Sequence, residues 1–486
     1  MLWLFLRQSQ KQPLQFLQDL FTMKRANLKE ITMKNYPVEK NQEIEVEIID
    51  LSHEGNGIAK VDGYLLFIEN TLPKEKVIAK VLKVGNKFGF AKVMKFLETS
   101  PDRQELPNEA LLRTGIAPLS HLSYDKQLLF KQQQVENVLT KIAKLDVPVL
   151  APIGMTEPFG YRNKAQIPVQ KINGALTTGF YRKNSHTLVP IEDFYIQDPQ
   201  IDQAIITIRD ILQRFNVKAY NEEAHEGFLR HIVVRRGHHS GEMMVVLVTR
   251  KPKFFKGEEI ATVIHDEIPT VVSVIQNINE EKTNVILGEF GRVLYGKETI
   301  EDQLLGKTFQ ISAKSFYQVN TEMTEVLYQK AFEMAQLKPD DIVVDAYAGI
   351  GTIGISLADQ VSEVLGMEVI PEAVNDAKAN AKRNGVDNVH YFVGKAEKIM
   401  PQWLREGIQP TVVFVDPPRK GLDASFIETT AAVGPERIIY ISCNPATLAR
   451  DLALFAEQGY ETKQVQPVDL FPQTTHVECV VLLEKK

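Results

Sequence analysis

The rhythm of hydrophobic and polar positions changes three times along the chain. Residues 38–96 hold short β-rich runs, "EIEVEIIDLS", "GIAKVDGYLLFIEN", "EKVIAKVLKVG" and "GFAKVMKF", broken by Gly, Asn and Pro. Alternation over such runs gives half-buried strands, and about sixty residues of them predict a five-stranded barrel of the OB type. Residues 98–150 pass from polar linker into a helical stretch, "SYDKQLLFKQQQVENVLTKIAKL". The pattern leaves the domain membership of 98–160 open. Residues 151–297 alternate strands with a few helices. From about residue 310 strand and helix alternate regularly, with strands at "DIVVDAYA", "VSEVLGMEVI", "VHYFVG", "TVVFVDPP" and "RIIYISC". The tail holds two strands with no helix between them. Five β-α units closed by a hairpin predict a doubly wound, mostly parallel sheet with one antiparallel strand. The chain divides into an N-terminal extension (1–37), a β-barrel (38–97), an α+β central domain (98–310) and a C-terminal α/β domain (311–486).

Composition narrows the class. The chain has 486 residues, 44% hydrophobic and 24% charged, as in a soluble multidomain protein. Its two cysteines exclude a disulfide framework and a four-thiolate metal cluster, which suits a reducing cytosol, so a cytoplasmic protein is expected. "MLWLFL" is too short for a signal-peptide core, and no apolar run would span a bilayer. Residues 1–33 read as a frayed extension or an over-long start, since Met23 and Met33 follow. A net charge of -6 argues mildly against nucleic acid. Its distribution argues the other way. Residues 72–96 carry seven lysines and one glutamate, interleaved with Phe88, Phe90 and Phe96. Residues 161–183 hold no acid and 229–253 hold one. Local basic strips make phosphate contacts whatever the total charge.

"VVDAYAGIGTIGI" places Gly349, Gly351 and Gly354 in a G-x-G-x-x-G spacing after a strand. Alone, that is a weak dinucleotide fingerprint. Here Asp345 ends the strand four residues before Gly349, which suits a ligand with a cationic amino-acid end, S-adenosylmethionine, rather than a pyrophosphate. Glu368 ends the next strand, where a carboxylate can accept from both ribose hydroxyls. "VGKAEK" (393–398) ends the third, where the adenine would lie. A dinucleotide oxidoreductase is the remoter alternative.

"FVDPPRKGLD" ends the fourth strand, so Asp416 should face the transferable methyl group. Nitrogen methylation of an aromatic acceptor would also suit this loop. Cys443, ending the fifth strand in "YISCNPATLARD", separates the two, because carbon 5 of uracil is a poor nucleophile until a thiolate adds to carbon 6. Asn444 and Pro445 predict a helix start there. Its N-terminus would lower the thiol pKa by at most about 1.5. The adduct needs a base at carbon 5, and Glu478 in "THVECVVLL" is the candidate. Cys479 alternates to the other face and is structural.

"SFYQVN", "DAYAGIGTIG", "DPPRKG", "SCNPATLARD" and "THVECV" together resemble the successive motifs of the bacterial RNA uracil-C5 methyltransferases, over nearly the whole chain. "HEGNGIAKVDGYLLFIENTLPKEKV" resembles the TRAM module, an OB-like RNA-binding barrel of the rRNA-acting members. The resemblance implies a Rossmann-like class I methyltransferase domain acting on 23S rRNA. It implies S-adenosylmethionine binding by Gln318, Tyr347, Glu368 and Asp416, Cys443 as nucleophile, Glu478 as base and Phe316 in the uracil pocket. A tRNA-acting enzyme and a non-catalytic RNA-binding protein that kept the fold are the alternatives. Some relatives ligate a [4Fe–4S] cluster through cysteines where this chain has Thr114, Ala117 and Phe194, so no cluster and no metal site is expected.

Overall fold

The computed structural model describes residues 36–486, and residues 1–35, most of the expected N-terminal extension, lie outside the described residues. The chain divides into two compact units.

The first comprises residues 36–52 and 56–100. Its strands are β1 (Glu43–Glu47), β2 (Asp50–Leu51), β3 (Gly57–Val61), β4 (Tyr64–Glu69), β5 (Lys76–Val84) and β6 (Phe88–Glu98). They lie in the order β1-β5-β6-β4-β3-β2. Since β1 and β2 follow one another along the chain yet stand at opposite edges, the sheet curls back on itself. The expected first strand is thus two segments divided at Ile48 and Ile49, which makes six segments of the expected five strands. Val46, Leu66, Ile68, Val77, Ala79 and Val81 fill the inside.

The second unit holds residues 53–55 and 101–486 and contains two seven-stranded sheets. The central sheet is formed by β7 (Lys164–Ile172), β8 (Ala175–Tyr181), β9 (Leu188–Pro190), β10 (Leu229–Arg236), β11 (Met243–Thr249), β12 (Val271–Ile278) and β13 (Phe290–Gly296). Its order is β13-β12-β11-β10-β7-β8-β9. Helices Pro199–Arg214 and Gly257–Glu267 bury their apolar stripes on one face, where Ile201, Ile205 and Ile208 meet Ile167, Ile232 and Val245. A hairpin, β14 (Ile300–Leu304) and β15 (Lys307–Ile311), leads onward.

The C-terminal sheet comprises β16 (Ile342–Ala346), β17 (Glu363–Glu368), β18 (Val389–Val393), β19 (Val412–Val415), β20 (Arg437–Ser442), β21 (Tyr460–Val468) and β22 (Glu478–Lys485). Its order is β18-β17-β16-β19-β20-β22-β21, with β22 antiparallel to both neighbours. The central parallel strands β16, β19 and β20 are buried on both faces, so they read as nearly continuous apolar runs, whereas the edge strand β18 leaves His390 and Phe392 exposed. Strand order reverses between β16 and β19, which opens a crevice at their carboxyl ends.

Residues 124–153 pack with this sheet. Helix Tyr124–Val138 and the π-turn Leu139–Ala143 lie against helix Pro445–Glu457, and Val149 and Ile153 form bridges with Val465 and Val468. Among the described residues no helix is long and apolar enough to cross a membrane.

Candidate active site

The loop after β16 is shaped by backbone constraints. Tyr347 holds φ 93°, costly for a non-glycine residue, and is fixed there by hydrogen bonds from its N–H and that of Ala348 to the Met367 carbonyl (3.1 and 3.0 Å). Gly351 has φ +88°, and a Cβ there would lie 2.4 Å from the Tyr391 hydroxyl. Only glycine fits. The Gly349 N–H donates to Glu368 Oε2 (3.2 Å), and Val369 and Ile370 donate to its Oε1 (2.7 and 3.0 Å). This clamp aims the carboxylate along the end of β17. Asp345 is 2% exposed and accepts one bond, from the Gly354 N–H at 3.0 Å. Burial, together with the charge of Glu368, pushes it up to about 7 despite that bond. Burial and Asp345 likewise push Asp416 up to about 7. Beside these acids, Val369, Ile370 and Val393 leave apolar surface exposed at the ends of β17 and β18. Buried carboxylates without cations, next to an apolar shelf, fit the sulfonium, ribose and adenine of S-adenosylmethionine.

Gln318 reaches this crevice. Its side chain meets the hydroxyl of Tyr328, which lies 3.3 Å from Thr352 Oγ1 and feels Asp416 and Asp345. Phe316 stands apart, 71% exposed on the loop between β15 and helix Thr321–Ala335.

Register brings the thiol to the second acid. Ser442 pairs with Cys479 across β20 and β22, so Cys443, one residue on, and Glu478, one residue back, stand side by side. Glu478 is 4% exposed, and burial with the nearby Asp416 pushes it up to about 8, against Arg419. Burial, then Glu478 and Asp416, push the Cys443 thiol up to about 11. The sequence predicts the opposite sign. The helix start is as expected, with Asn444 accepting from the Ala446 N–H (3.1 Å) and Pro445 at the first position. A helix N-terminus worth about 1 kcal/mol does not offset desolvation plus two carboxylates. Cys479 is fully buried in the core with Tyr440 and Val481.

The "DPPRKG" and "SCNPATLARD" motifs are one structural device. Asn444 Nδ2 donates to the Arg419 carbonyl (3.0 Å), Arg450 Nη2 to those of Lys420 (3.0 Å) and Leu422 (3.1 Å), and Asp451 Oδ2 accepts from the Leu422 N–H (2.8 Å). Asp451 is itself fully buried and bonded by the Tyr440 hydroxyl at 2.7 Å. Helix Pro445–Glu457 therefore holds the loop that presents Asp416 and Arg419 to Cys443.

Sequence reasoning missed two contributors. Arg419, inside a motif already singled out, lies near both Cys443 and Glu478 and contacts His476 at 3.3 Å. Lys131 and Asp469 form a fully buried ion pair, and Lys131 also donates to the Phe471 carbonyl (3.0 Å). With Gln127, which bonds Gln473, that pair braces the loop leading to Glu478. Nothing local marks Lys131, because its partner is more than three hundred residues away.

At the positions where cluster-bearing relatives carry cysteine, Thr114 Oγ1 donates to the Ala110 carbonyl (2.8 Å), while Ala117 and Phe194 are packed at 0% and 2% exposure. A hydroxyl, a methyl and a phenyl ring do not fit an iron–sulfur cluster.

The sheet order and the acid-lined crevice at its switch point define the class as an S-adenosylmethionine-dependent methyltransferase. The profile of the tRNA (Uracil-5-)-methyltransferase family matches residues 123–486, and that of the TRAM domain matches residues 37–94. The chain belongs to that family. It is 58% identical over 454 residues, 93% of this chain and 99% of the other, to an uncharacterized RNA methyltransferase of Enterococcus faecalis. It is 56% identical over 447 residues, 92% of this chain and 99% of the other, to one of Streptococcus agalactiae. Among solved structures, the Pyrococcus abyssi tRNA (uracil-54, C5)-methyltransferase with S-adenosyl-L-homocysteine superposes with a TM-score of 0.73 at 26% identity, covering 90% of this chain and 100% of that one. The protein is thus an RNA methyltransferase of the uracil-5 family that uses S-adenosylmethionine and carries an N-terminal TRAM domain.

Proposed function

We propose that the protein methylates carbon 5 of specific uridines in 23S rRNA, with Cys443 as nucleophile and Glu478 as base. The observation that carries the chemistry is the placement of Cys443 and Glu478 side by side, next to the Ser442–Cys479 pair of β20 and β22 and near Asp416. Cys443, once deprotonated, adds to carbon 6 of the uracil, and the electron pair moves to make carbon 5 nucleophilic. S-adenosylmethionine, held by Gln318, Tyr347, Glu368 and Asp416, supplies the methyl group that carbon 5 takes up. Glu478 then removes the hydrogen of carbon 5 as a proton, the carbon 5–carbon 6 double bond re-forms and the Cys443 sulfur leaves carbon 6. A raised Glu478 suits a base that must exchange protons near neutral pH. The resemblance assigns Phe316, 71% exposed, to packing against the uracil. A stacked uracil is out of reach of the thiol, so the target base is extruded, at about a few kcal/mol.

The preference for rRNA rests on the resemblance of the N-terminal barrel to that of rRNA-acting relatives. Its surface suits RNA. Phe88 and Phe90 are 43% and 38% exposed, packed edge-on with ring centroids 5.7 Å apart, next to the exposed Lys92 and Lys95. A second reading, tRNA as substrate, is favoured by the Pyrococcus abyssi likeness. Purified protein incubated with methyl-deuterated S-adenosylmethionine and unmodified 23S rRNA or tRNA transcripts, followed by nucleoside mass spectrometry, separates the two. Labelled 5-methyluridine in rRNA is expected. Label in tRNA alone overturns the substrate, and label surviving Cys443→Ala overturns the nucleophile.

A further inference from the structure

Strand β7 shows what strand alternation does to a basic stretch. Ala165, Ile167 and Val169 turn into the core at 1–2% exposure, so Lys164, Gln166, Pro168 and Gln170 share the opposite face. That face spans about 20 Å. It borders two cavities in series. One, of about 390 Å³, is bounded by Arg419, Phe471 and His476 at one end and by Arg162, Lys164 and Gln166 at the other. The next, of about 330 Å³, continues past Gln166 and Phe180 to Tyr181, Tyr220 and His231. Gln166 and Phe180 line both, so the cavities form one groove starting beside the thiol.

The two cavities differ in chemistry. In the nearer one, burial with the charges of Arg235 and Arg162 pulls Lys164 down to about 8. Neither Arg162 nor Lys164 forms an ion pair among the described residues. Clustered cations without a carboxylate call for an anion, and a phosphate of the substrate backbone is the anion this enzyme meets. The farther cavity presents mostly aromatic and polar walls, and its one carboxylate, Glu222, is bonded to His186 Nδ1 at 2.8 Å. Arg230 there is spent on the carbonyls of Asn279 (2.9 Å), Glu281 (2.6 Å) and Thr283 (2.9 Å), and caps one face of Tyr220 at 4.7 Å. His231 keeps a buried Nδ1 without a partner. Burial and Arg230 hold its pKa down to about 4, so the ring is neutral, with one donor and one acceptor. An imidazole and an amide between aromatic side chains suit the face and edge of a heterocyclic base.

We propose that this farther pocket binds a second unpaired base of the same RNA strand, whose phosphates pass over Arg162 and Lys164 while the target uracil enters at Cys443. The proposal rests on the target entering at Cys443, but not on which RNA is the substrate. A base anchored here would fix the register of the strand and select loops in which an unpaired base stands a few nucleotides from the target.

The test is photo-crosslinking of the full chain to a random-sequence RNA dodecamer in which 4-thiouridine replaces uridine, with peptide mapping, and anisotropy measurements on the same RNA. Crosslinks to peptides containing residues 164–186 or 220–231 are expected. Gln166→Ala and Phe180→Ala should each weaken RNA binding by about fivefold or more. S-adenosylhomocysteine binding should not change in either variant, which controls for folding. Crosslinks confined elsewhere, with unchanged affinity in both variants, overturn the proposal. Crosslinks at this pocket without 5-methyluridine in any transcript would leave it standing and sink the proposed reaction. Methylation without these crosslinks would do the reverse.

Discussion

Two parts of the second unit hold an excess of charge of opposite sign. The crevice of the C-terminal sheet gathers Asp345, Asp416 and Glu478, all pushed up to about 7 or 8 by burial and mutual repulsion. The groove on β7 gathers Arg162 and Lys164, with Lys164 pulled down to about 8 by burial and by the charges of Arg162 and of Arg235, which is buried and bonded to the Ser312 and Ser315 carbonyls. Arg419 offsets only part of the first, and no carboxylate lines the nearer cavity of the second. One suits a sulfonium cation, the other a phosphate. Lys131–Asp469 is the instructive contrast, a buried pair whose opposite charges offset one another and which braces the loop leading to Glu478.

The sharpest way to break this comparison is at the thiol. Cys443→Ala should lower methylation at least about a thousandfold, measured by label in 5-methyluridine, because no other group can form the carbon 6 adduct. S-adenosylhomocysteine should still bind. Removing one half of the bracing pair comes next. Lys131→Met leaves the Asp469 carboxylate buried and alone, and should cost about 3–5 kcal/mol in chemical denaturation. The double change Lys131→Met with Asp469→Leu should recover much of that loss. Recovery of stability without recovery of activity would assign the pair to placing the Glu478 loop.

Asp416→Asn should weaken S-adenosylmethionine binding about tenfold or more by calorimetry, since the ligand cation loses a desolvated partner. The same change should raise the melting temperature most at pH 8.5 and progressively less as the pH falls towards 4. The sign follows from the raised pKa. Below the ordinary carboxylate range the acid is protonated whether the chain is folded or not. Between that range and about 7 the folded state holds the extra proton, so stability falls as pH rises. For catalysis the dependence is reversed. Glu478 must lose its proton to act as base, so kcat/KM should rise with pH through about 8, and Glu478→Gln should abolish the reaction at every pH. A flat profile between pH 6 and 9 would remove Glu478 from that role.

The smallest effect belongs to the basic groove. Lys164→Gln should weaken RNA binding severalfold and flatten its salt dependence by about one unit of slope. S-adenosylhomocysteine affinity should be unchanged. Equal loss of both ligands would mean that the groove and the crevice are one site.

Much of this was legible in the chain. Periodicity located every strand of the C-terminal sheet, and the acids ending those strands announced a cofactor with a cation and a ribose. Cys443 and Glu478 stood out as candidates because each borders a strand end, where alternation decides which side chain faces the crevice. The acid-free stretch 161–183 flagged a phosphate surface, but not which face of β7 would carry it. That depended on helices Pro199–Arg214 and Gly257–Glu267 covering the other side. Local pattern thus determined the elements and their order and singled out the groups proposed to react, since these depend on neighbours a few residues apart. Only the tertiary structure decided the sign of the thiol's pKa shift, the role of Arg419 and the pairing of Lys131 with Asp469. Desolvation and charge act through space, between side chains that the sequence holds far apart.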